Sequence, residues 1–320
     1  MNRPVLLLAV GLLVAVPLSL LAGQVWIAPW DAPVPHATAI LVELRLPRAV
    51  LALVVGAGLG AAGAAMQGYL RNPLADPGLF GIAPGGALGA VLSLWFGLAA
   101  IPFVLPAFSL IGAAGAMALL ALIAGRTGGI ALFTLAGLMI ASLAGALTSL
   151  AISLSPNPFA TSEIVTWLMG ALTDRSWREV WIAAPLTAVG IAMLWRVGPA
   201  LDAMTLGEEA ARSMGVDARS LQWWIVGGVG LTVGAGVAVA GIISFVGLMV
   251  PHLMRRFTDR RPSQLLVPSA LAGALLVLVA DCACRIWPIA GGELRLGIAL
   301  SLLGAPFFLV LLLKMRRSLA

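Results

Sequence analysis

One segment of the chain is a long, glycine-rich apolar stretch with a different polar group at each end. Residues 46–69 carry a single charge, Arg48, and Arg45 precedes them. A turn-rich sequence, RNPLADP at 71–77, follows. Crossing the hydrocarbon core of a bilayer takes about 20 apolar residues in a helix. The segment therefore predicts a membrane span with a polar structure at each mouth.

Composition extends this interpretation to the whole chain. The 320 residues are 61% hydrophobic and only 10% charged, whereas soluble domains carry about 25% charged residues. The net charge of +6 does not point to nucleic acid, because the basic residues lie between apolar runs without interleaved aromatic residues. Membrane topology is the better explanation of the basic residues.

A window of about 19 residues identifies ten plausible crossings. We therefore predict an all-α, polytopic membrane protein with about ten transmembrane helices, which forms a single transmembrane domain over 1–320. The eighth crossing is short and is followed by a basic cluster. The predicted spans are 5–23, 46–69, 79–98, 103–124, 129–153, 178–197, 222–240, 242–256, 265–285 and 296–314.

The distribution of basic residues predicts the orientation. With ten spans and a cytoplasmic N-terminus, 13 of the 19 Lys and Arg residues fall inside, in line with the positive-inside rule. Both termini are then cytoplasmic. The alternative is a cleaved signal peptide, with Arg3, an apolar run and a cleavage point at Ala22-Gly23.

Small residues at four-residue spacing predict close helix packing, because they let backbones approach in lipid. The two cysteines, Cys282 and Cys284, are too close for an ordinary disulfide and lack further metal ligands, so we interpret them as small helix residues. The small-residue sets are Gly56 and Gly60, Gly230 and Gly234, and Gly137, Ala141 and Gly145.

The longest polar stretch, 201–220, predicts a short helix on the cytoplasmic face. Thr205 and Glu208 have the spacing of a capping box, and Gly215 can end the helix in left-handed geometry. Asp217 can then cap the following membrane helix. An ordinary solvated loop is the alternative.

The external segment 161–170 predicts a second short helix. Ser162 is a candidate N-cap, and Gly170 can end the helix. Ile164, Trp167 and Leu168 share one face. This helix either plugs the outer mouth or lies at the interface with Trp167 as an aromatic anchor.

Six ordered motifs together resemble the permease subunits of bacterial type II ABC importers, the group that imports iron–siderophore complexes, haem and vitamin B12. The resemblance covers nearly the whole chain and does not choose between cargoes, and the family also has molybdate-transporting relatives. The motifs are RLPR at 45–48, MQ at 66–67, RNPLADPGLFG at 71–81, LGEEAARSMG at 206–215, GIISFVGLMVPHLMR at 241–255 and LGAPFFLVLLLK at 303–314.

The resemblance implies a multi-pass protein of the bacterial inner membrane that moves a bulky chelate by alternating access. Its implied partners are a second copy of the permease, two cytoplasmic ATPase subunits and a periplasmic or extracellular binding protein. Lys314 is the only lysine, so a G-x-x-x-x-G-K-[ST] phosphate loop is impossible here. We therefore expect no enzymatic activity, no catalytic or metal site and no cofactor in this chain, with ATP and Mg held by the partner.

Site residues also follow from the resemblance, position by position. The coupling helix that contacts the ATPase matches Leu206, Gly207, Glu208, Glu209, Arg212, Met214 and Gly215. Docking of the binding protein matches Arg45, Arg48 and Arg285, although an intrahelical pair of Arg285 with Asp281 competes. The cytoplasmic gate matches Asn72, Pro73 and Leu74, with the loop 125–129 expected opposite.

Two rival classes fit less well. An ion-gradient-driven secondary transporter needs ionisable groups or unwound backbone near the midplane, and every acid here falls near a predicted span end. An intramembrane enzyme needs a nucleophile with its base, or a set of metal ligands, and the sequence offers neither. His252 follows Pro251 near the predicted inner face, and a structural hydrogen bond is a more economical role than a proton relay or haem ligand.

Overall fold

The computed structural model describes residues 3–23, 25–27, 36–124, 129–289 and 292–319, which form helices and one short hairpin. The first half contains α1 (Arg3–Leu21), α2 (Ala37–Tyr69, π-helical over Ile40–Arg45), α3 (Ile82–Trp95), α4 (Val104–Ala124), α5 (Ile130–Ser153) and α6 (Pro158–Leu168). The second half contains α7 (Trp177–Arg196), α8 (Gly198–Met204), α9 (Glu208–Ser213), α10 (Ala218–Ala240), α11 (Val246–Met254), α12 (Pro262–Ile286) and α13 (Leu296–Leu319). Single 3₁₀ turns cover Pro77–Phe80 and Arg255–Phe257, and β1 (Pro288–Ile289) pairs with β2 (Gly292–Glu293) in an antiparallel hairpin.

Eight helices of the described chain are long and apolar enough to cross a membrane. They are α1, α2, α4, α5, α7, α10, α12 and α13, and each overlaps one of the ten predicted spans. The polytopic all-α class is confirmed, while the side of the membrane on which the termini lie stays a prediction.

The other two predicted spans contain helices that are too short to cross alone. α3 has 14 residues and α11 has nine, about 21 Å and 14 Å of helix against a core of about 30 Å. Gly81 precedes α3 in a left-handed conformation, and Gly241 ends α10 with φ +72. A Cβ at Gly241 would overlap the carbonyl oxygen of Trp167, so tertiary packing favours the break there. Irregular backbone at this depth is stable only when protein covers it.

α2 is the central helix of the molecule. Of its most apolar window, 78% is buried, and it packs against α12, α10, α7 and α11. A Cβ at Gly56 would overlap the carbonyl of Gly273, and one at Gly60 would overlap that of Ser269. The predicted glycine seam of α2 is thus confirmed as the α2–α12 contact.

The other two predicted seams differ from each other. Gly230 lies against Met117, and a Cβ at Gly234 would approach that of Ala113 to 3.1 Å, so this pair packs α10 on α4. In the third set Gly137 contacts Phe80, but a Cβ at Gly145 would meet no atom within 4 Å. The seam along α5 is therefore formed only at its first turns.

Three long helices leave most of their apolar surface uncovered. Only 6% of the most apolar window of α1 is buried, and 28% of that of α5 and of α13. Exposed apolar surface of this extent needs lipid or another subunit to cover it. These helices form the periphery around α2.

The external short helix begins earlier than predicted. Asn157, not Ser162, is the N-cap of α6, and its Oδ1 accepts a hydrogen bond from Ala160 N at 2.9 Å. The predicted apolar face is confirmed, since Ile164 is fully buried in a cluster with Val91 and Leu94. Trp167 packs against this cluster and the main core, so its role is packing rather than interfacial anchoring.

Two short helices occur in the region of the polar segment 201–220 instead of one: α8 ends within it and α9 lies wholly inside it. The predicted capping box is wrong, because Thr205 Oγ1 donates to Asp202 O at 2.7 Å and Gly207 is the N-cap of α9 without a side-chain bond. Gly215 is left-handed (φ +86), as predicted. Asp217 caps α10 by accepting from Arg219 N and Ser220 N, which is also as predicted.

Candidate functional site

At the predicted outer end, a buried ionic network joins α2 to α12. Arg48 Nε lies 3.0 Å from each carboxylate oxygen of Asp281, and Arg48 Nη2 lies 2.9 Å from Asp281 Oδ1. Asp281 also pairs with Arg285, with Oδ2 and Nε 3.2 Å apart. The exposed fractions of these side chains are 12% for Arg48, 4% for Arg285 and zero for Asp281. One carboxylate thus holds two guanidinium groups away from water.

The same arginine fixes the hairpin. Arg48 Nη2 lies 2.7 Å from Glu293 Oε2 on β2, so Arg48 bridges α12 and the connection to α13. A second negative charge offsets the two arginines around Asp281. Breaking one partner of a buried set of charges is costly because the remaining charges lose their compensation.

Arg45 caps the C-terminal end of α1. Its Nη1 donates to the carbonyl oxygens of Leu20 (2.8 Å) and Leu21 (2.7 Å), and its Nη2 donates to that of Val25 (2.6 Å). The last carbonyls of a helix have no intrahelical partner, so a basic side chain satisfies them well. Arg285 Nη1 donates to Ala22 O at 3.3 Å in the same region.

The three arginines predicted for docking therefore lie at one end of the molecule, where they bind internal partners. The competing pair of Arg285 with Asp281 is present. The pairing of Arg48 with Asp281 joins positions 233 residues apart, and the sequence carries no signal for it. A role in docking stays a prediction.

At the predicted inner end, the segment 70–77 forms a tight collar. Asn72 Oδ1 accepts from Leu74 N at 3.0 Å, and Asn72 O accepts from Ala75 N at 3.1 Å. Prolines 73 and 77 keep the backbone out of a helix. The opposite gate loop predicted at 125–129 falls on 125–128, which lie outside the described residues.

Asp76 lies near the end of this collar, beside an apolar cavity of about 440 Å³. Its Oδ1 accepts from Gly78 N at 2.7 Å. Burial raises the pKa of the Asp76 carboxyl above its usual range, against the opposing effect of backbone hydrogen bonds from Gly78 and Leu248. Leu74, Phe245 and Phe308 also line the cavity, so the collar borders a space suited to apolar groups.

The predicted coupling residues form an exposed knob. Leu206 and Met214 are 68% and 63% exposed, whereas Ala211 is buried and anchors α9 to the core. Gly207 has φ +108, a conformation that L side chains rarely adopt. Of the three charged residues of this set, Glu209 and Arg212 are exposed and Glu208 is half-buried. Such an apolar and charged surface fits contact with another protein.

Glu208 connects the knob to the collar. Its Oε1 lies 3.9 Å from Arg71 Nη2, and a Cβ at Gly129 would lie 3.9 Å from its Oε2. A cavity of about 360 Å³ separates these segments and is also lined by Tyr69 and Arg212. The carboxylate of Glu208 therefore lies close to both the collar and the residue that precedes α5. Sequence analysis did not identify Arg71 as a site residue, because its partner is distant in sequence.

The described residues contain no group of three or more His, Cys, Asp or Glu side chains that could hold a metal ion. Cys282 and Cys284 are free thiols on α12. His252 packs edge-to-face on Phe307, with ring centroids 5.9 Å apart. The hydrogen bond predicted for His252 is not found at its buried Nδ1, which has no partner in the described part of the chain.

Comparison with known proteins gives consistent results. The sequence matches the FecCD transport family over residues 11–314. It is 37% identical over 322 residues to the vitamin B12 import system permease protein BtuC of Serratia proteamaculans, with 98% of this chain and 94% of the relative covered. The BtuC protein of Escherichia coli (strain HS) is 36% identical over 321 residues, with 98% and 96% covered.

Two solved structures resemble the fold. One is described as an inward-facing conformation of a metal-chelate type ABC transporter; it has a TM-score of 0.89 and 30% sequence identity, and 97% of this chain and 98% of that chain are covered. The other is PsaBC from Streptococcus pneumoniae in complex with Fab, with a TM-score of 0.55 and 17% identity over 82% and 89% of the two chains. The second similarity concerns the fold alone.

Proposed function

This chain belongs to the FecCD transport family, and we propose that the cargo it carries is a corrinoid of the vitamin B12 class. It is the membrane permease of an ABC importer for chelated substrates and lies in the inner membrane as a multi-pass protein. It is not an enzyme, because ATP hydrolysis belongs to a separate subunit. The ion-gradient alternative is wrong, since relatives and structural neighbour alike are ABC permeases or transporters.

The observation that carries the cargo proposal is the similarity to vitamin B12 permeases over 98% of this chain. A second candidate is an iron chelate, such as a siderophore complex or haem, because the structural neighbour at 30% identity is described as metal-chelate type. The neighbour shares less sequence than the vitamin B12 permeases do, so the corrinoid is favoured.

The chemistry near the collar supports a chelate over a bare ion. The cavity beside Leu74 and Phe308 is mainly apolar, and no metal-ligand cluster occurs among the residues described. A bare cation would need oxygen, nitrogen or sulfur ligands to replace its water. A cargo that keeps its metal inside its own ligands needs only a wide apolar path.

The family implies ATPase partners and a substrate-binding protein. We further propose a complex of two copies of this chain, two ATPase subunits and one binding protein. The mostly exposed apolar face of α5 supports a second copy, because it offers long helical surface without an internal partner. Leu206 and Met214 with the charged residues of α9 then contact the ATPase, while Asn72, Pro73 and Leu74 form the gate.

At the outer end, acidic residues of the binding protein compete with Glu293 for Arg48 in this proposal. Arg45 and Arg285 add positive potential there. Complementary charges of this kind steer the encounter and fix its register more than they add affinity. Docking by this route weakens as salt concentration rises.

The cargo is tested by uptake into proteoliposomes that contain this chain with its ATPase, supplied with its binding protein and ATP. Radiolabelled cyanocobalamin is the tracer, and unlabelled cyanocobalamin, a ferric siderophore and haemin are the competitors. The corrinoid proposal expects competition by cyanocobalamin alone. Uptake of the siderophore or haemin in place of cyanocobalamin would transfer the assignment to the second candidate.

A further inference from the structure

Four basic side chains line one open pocket of about 380 Å³ at the predicted inner face. They are His252 from α11, Arg255 and Arg256 from the following 3₁₀ turn, and Arg260 from the loop after it. No acidic side chain is among the lining residues. Positive charge is therefore concentrated in this pocket rather than spread along a helix.

Two of the four groups are held in place by neighbouring elements. Arg255 Nη2 donates to Gln67 Oε1 at 2.9 Å, and Gln67 Nε2 donates to the carbonyl oxygens of Gly247 (3.3 Å) and Leu248 (3.2 Å). The ring of His252 is fixed against Phe307 of α13. The pocket is thus anchored to α2, α11 and α13 at the same time.

The backbone that presents the last group is strained. Arg260 has φ +61, which is uncommon for a residue with a side chain. Such conformations cost of order 1–3 kcal/mol and cluster at binding and switching sites. Such strain is expected where a packing contact or a function offsets it. Arg260 is exposed, so packing does not account for it.

Among the described residues, the charges of the pocket have no counterion. None of its arginines forms an ion pair with any described residue, and the nearest acid in sequence, Asp259, is exposed and unpaired within the same residues. His252 Nδ1 and Thr258 Oγ1 are buried polar atoms without a described partner. An anion in the pocket would relieve the repulsion between the arginines.

We propose that this pocket binds a phosphate-bearing anion, supplied by the headgroup of an anionic phospholipid in the inner leaflet. Planar guanidinium groups match phosphate oxygens in a bidentate manner. Basic pockets between membrane helices on the cytoplasmic side are suited to anionic headgroups. A free phosphate ion has the same chemistry and is the other source.

Apolar surface beside the pocket favours the lipid source. Phe257, next to Arg256, is exposed, and α13 exposes Leu309, Val310 and Leu313 in the turns after Phe307. Acyl chains of a bound lipid can cover these side chains, whereas a free phosphate cannot. The headgroup then ties α11 and α13 to the membrane surface at the inner end.

The test uses the purified full-length chain in detergent, with binding measured as the shift of its Tm against ligand concentration. The probes are dihexanoyl-phosphatidylglycerol, dihexanoyl-phosphatidylcholine and inorganic phosphate. The pocket variant is Arg256→Gln/Arg260→Gln. The matched control, Arg196→Gln/Arg261→Gln, removes the same charge from exposed arginines outside the pocket.

The proposal expects phosphatidylglycerol to bind the wild type and the control alike, with affinity lower by about tenfold or more in the pocket variant. A strong response to phosphatidylglycerol with a weak one to phosphate supports the lipid source. Equal responses to both anions support the phosphate site but identify free phosphate as its ligand, which overturns the lipid assignment.

Equal binding of phosphatidylcholine and phosphatidylglycerol to the wild type would overturn the proposal. An equal loss of phosphatidylglycerol affinity in the pocket variant and in the control variant would overturn it too. Failure of every phosphate-bearing probe to shift the Tm of the wild type would overturn it as well. If the glutamine variant does not fold, Arg256→Lys/Arg260→Lys replaces it. That variant keeps the charge and loses the guanidinium fork, and we expect intermediate affinity.

Discussion

Asp281 is the most deeply buried charged residue of the network at the outer end. Its carboxylate is completely buried and contacts both Arg48 and Arg285. The sequence suggested only the second contact, because that partner lies one helical turn away. The pairing with Arg48 depends on how α2 and α12 pack. No pattern in a single sequence indicates that these two helices are neighbours.

Replacing Asp281 tests the network. We expect Asp281→Asn to lower the free energy of unfolding by about 3–5 kcal/mol, because two buried guanidinium groups lose their shared negative partner. The measurement is thermal or denaturant unfolding of the purified chain in detergent. Glu163→Gln, at an exposed acid on α6, is the control and should leave stability unchanged. Equal stability of the two variants would contradict the structural role of the network.

The spacing of the glycines predicted close helix packing at particular residues, and this prediction was right in part. Gly56 and Gly60 proved to be sites of backbone contact, whereas Gly145, with the same kind of spacing, faces open space. Spacing reports which residues share a helix face but not which face meets a neighbour.

We therefore expect Gly60→Val to abolish or strongly reduce folded protein, because its Cβ would collide with the backbone of α12 at Ser269. Gly145→Val adds the same side chain to another long helix and should fold like the wild type. Yield of monodisperse protein after size-exclusion chromatography distinguishes them. Comparable losses in both variants would show that helix propensity, rather than the α2–α12 contact, is responsible.

At the scale of elements, the eight long helices were predictable because apolar length is a local property of the sequence. The interruptions at Gly81 and Gly241 were not, since each depends on a contact with a distant segment. The caps at Ser162 and Thr205 were wrong because neighbouring polar or flexible residues, Asn157 and Gly207, fill the cap positions instead.

The contact between α9 and the collar predicts a mechanical link through Arg71 and Glu208. We expect Glu208→Arg and Arg71→Glu each to reduce the amount of cargo transported per ATP hydrolysed, and the double exchange to restore it in part. The ratio is measured in proteoliposomes with the ATPase present. Glu163→Arg is the control, since Glu163 is an exposed acid on α6, outside the coupling segment, and forms no ion pair with a described residue. No recovery in the double exchange would exclude this link.

Gly207 tests whether α9 is the coupling helix. Gly207→Trp should leave binding-protein docking intact but uncouple ATP hydrolysis from uptake, because a bulky residue then occupies the start of the exposed knob. Gly207→Ala distinguishes the effect of side-chain bulk from that of backbone strain, since alanine is strained at φ +108 but is not bulky. Unchanged uptake by the tryptophan variant in vesicles would reject the coupling assignment.

At the scale of the whole molecule, composition and six ordered motifs were sufficient for the class of protein, and the comparisons confirmed it. The cargo could not be predicted, because the six motifs are specific for the family and do not distinguish one cargo from another. The mostly uncovered face of α5 is consistent with the proposed second copy of this chain.

The most direct test of this account is the energy source of cyanocobalamin uptake in proteoliposomes that hold the chain with its ATPase and receive the binding protein. We predict uptake that requires ATP and the ATPase subunit, ceases with a non-hydrolysable ATP analogue, and is unchanged when an ionophore collapses proton and sodium gradients. Uptake that continues without ATP and stops when the gradients collapse would contradict the assignment of this chain as an ABC importer permease.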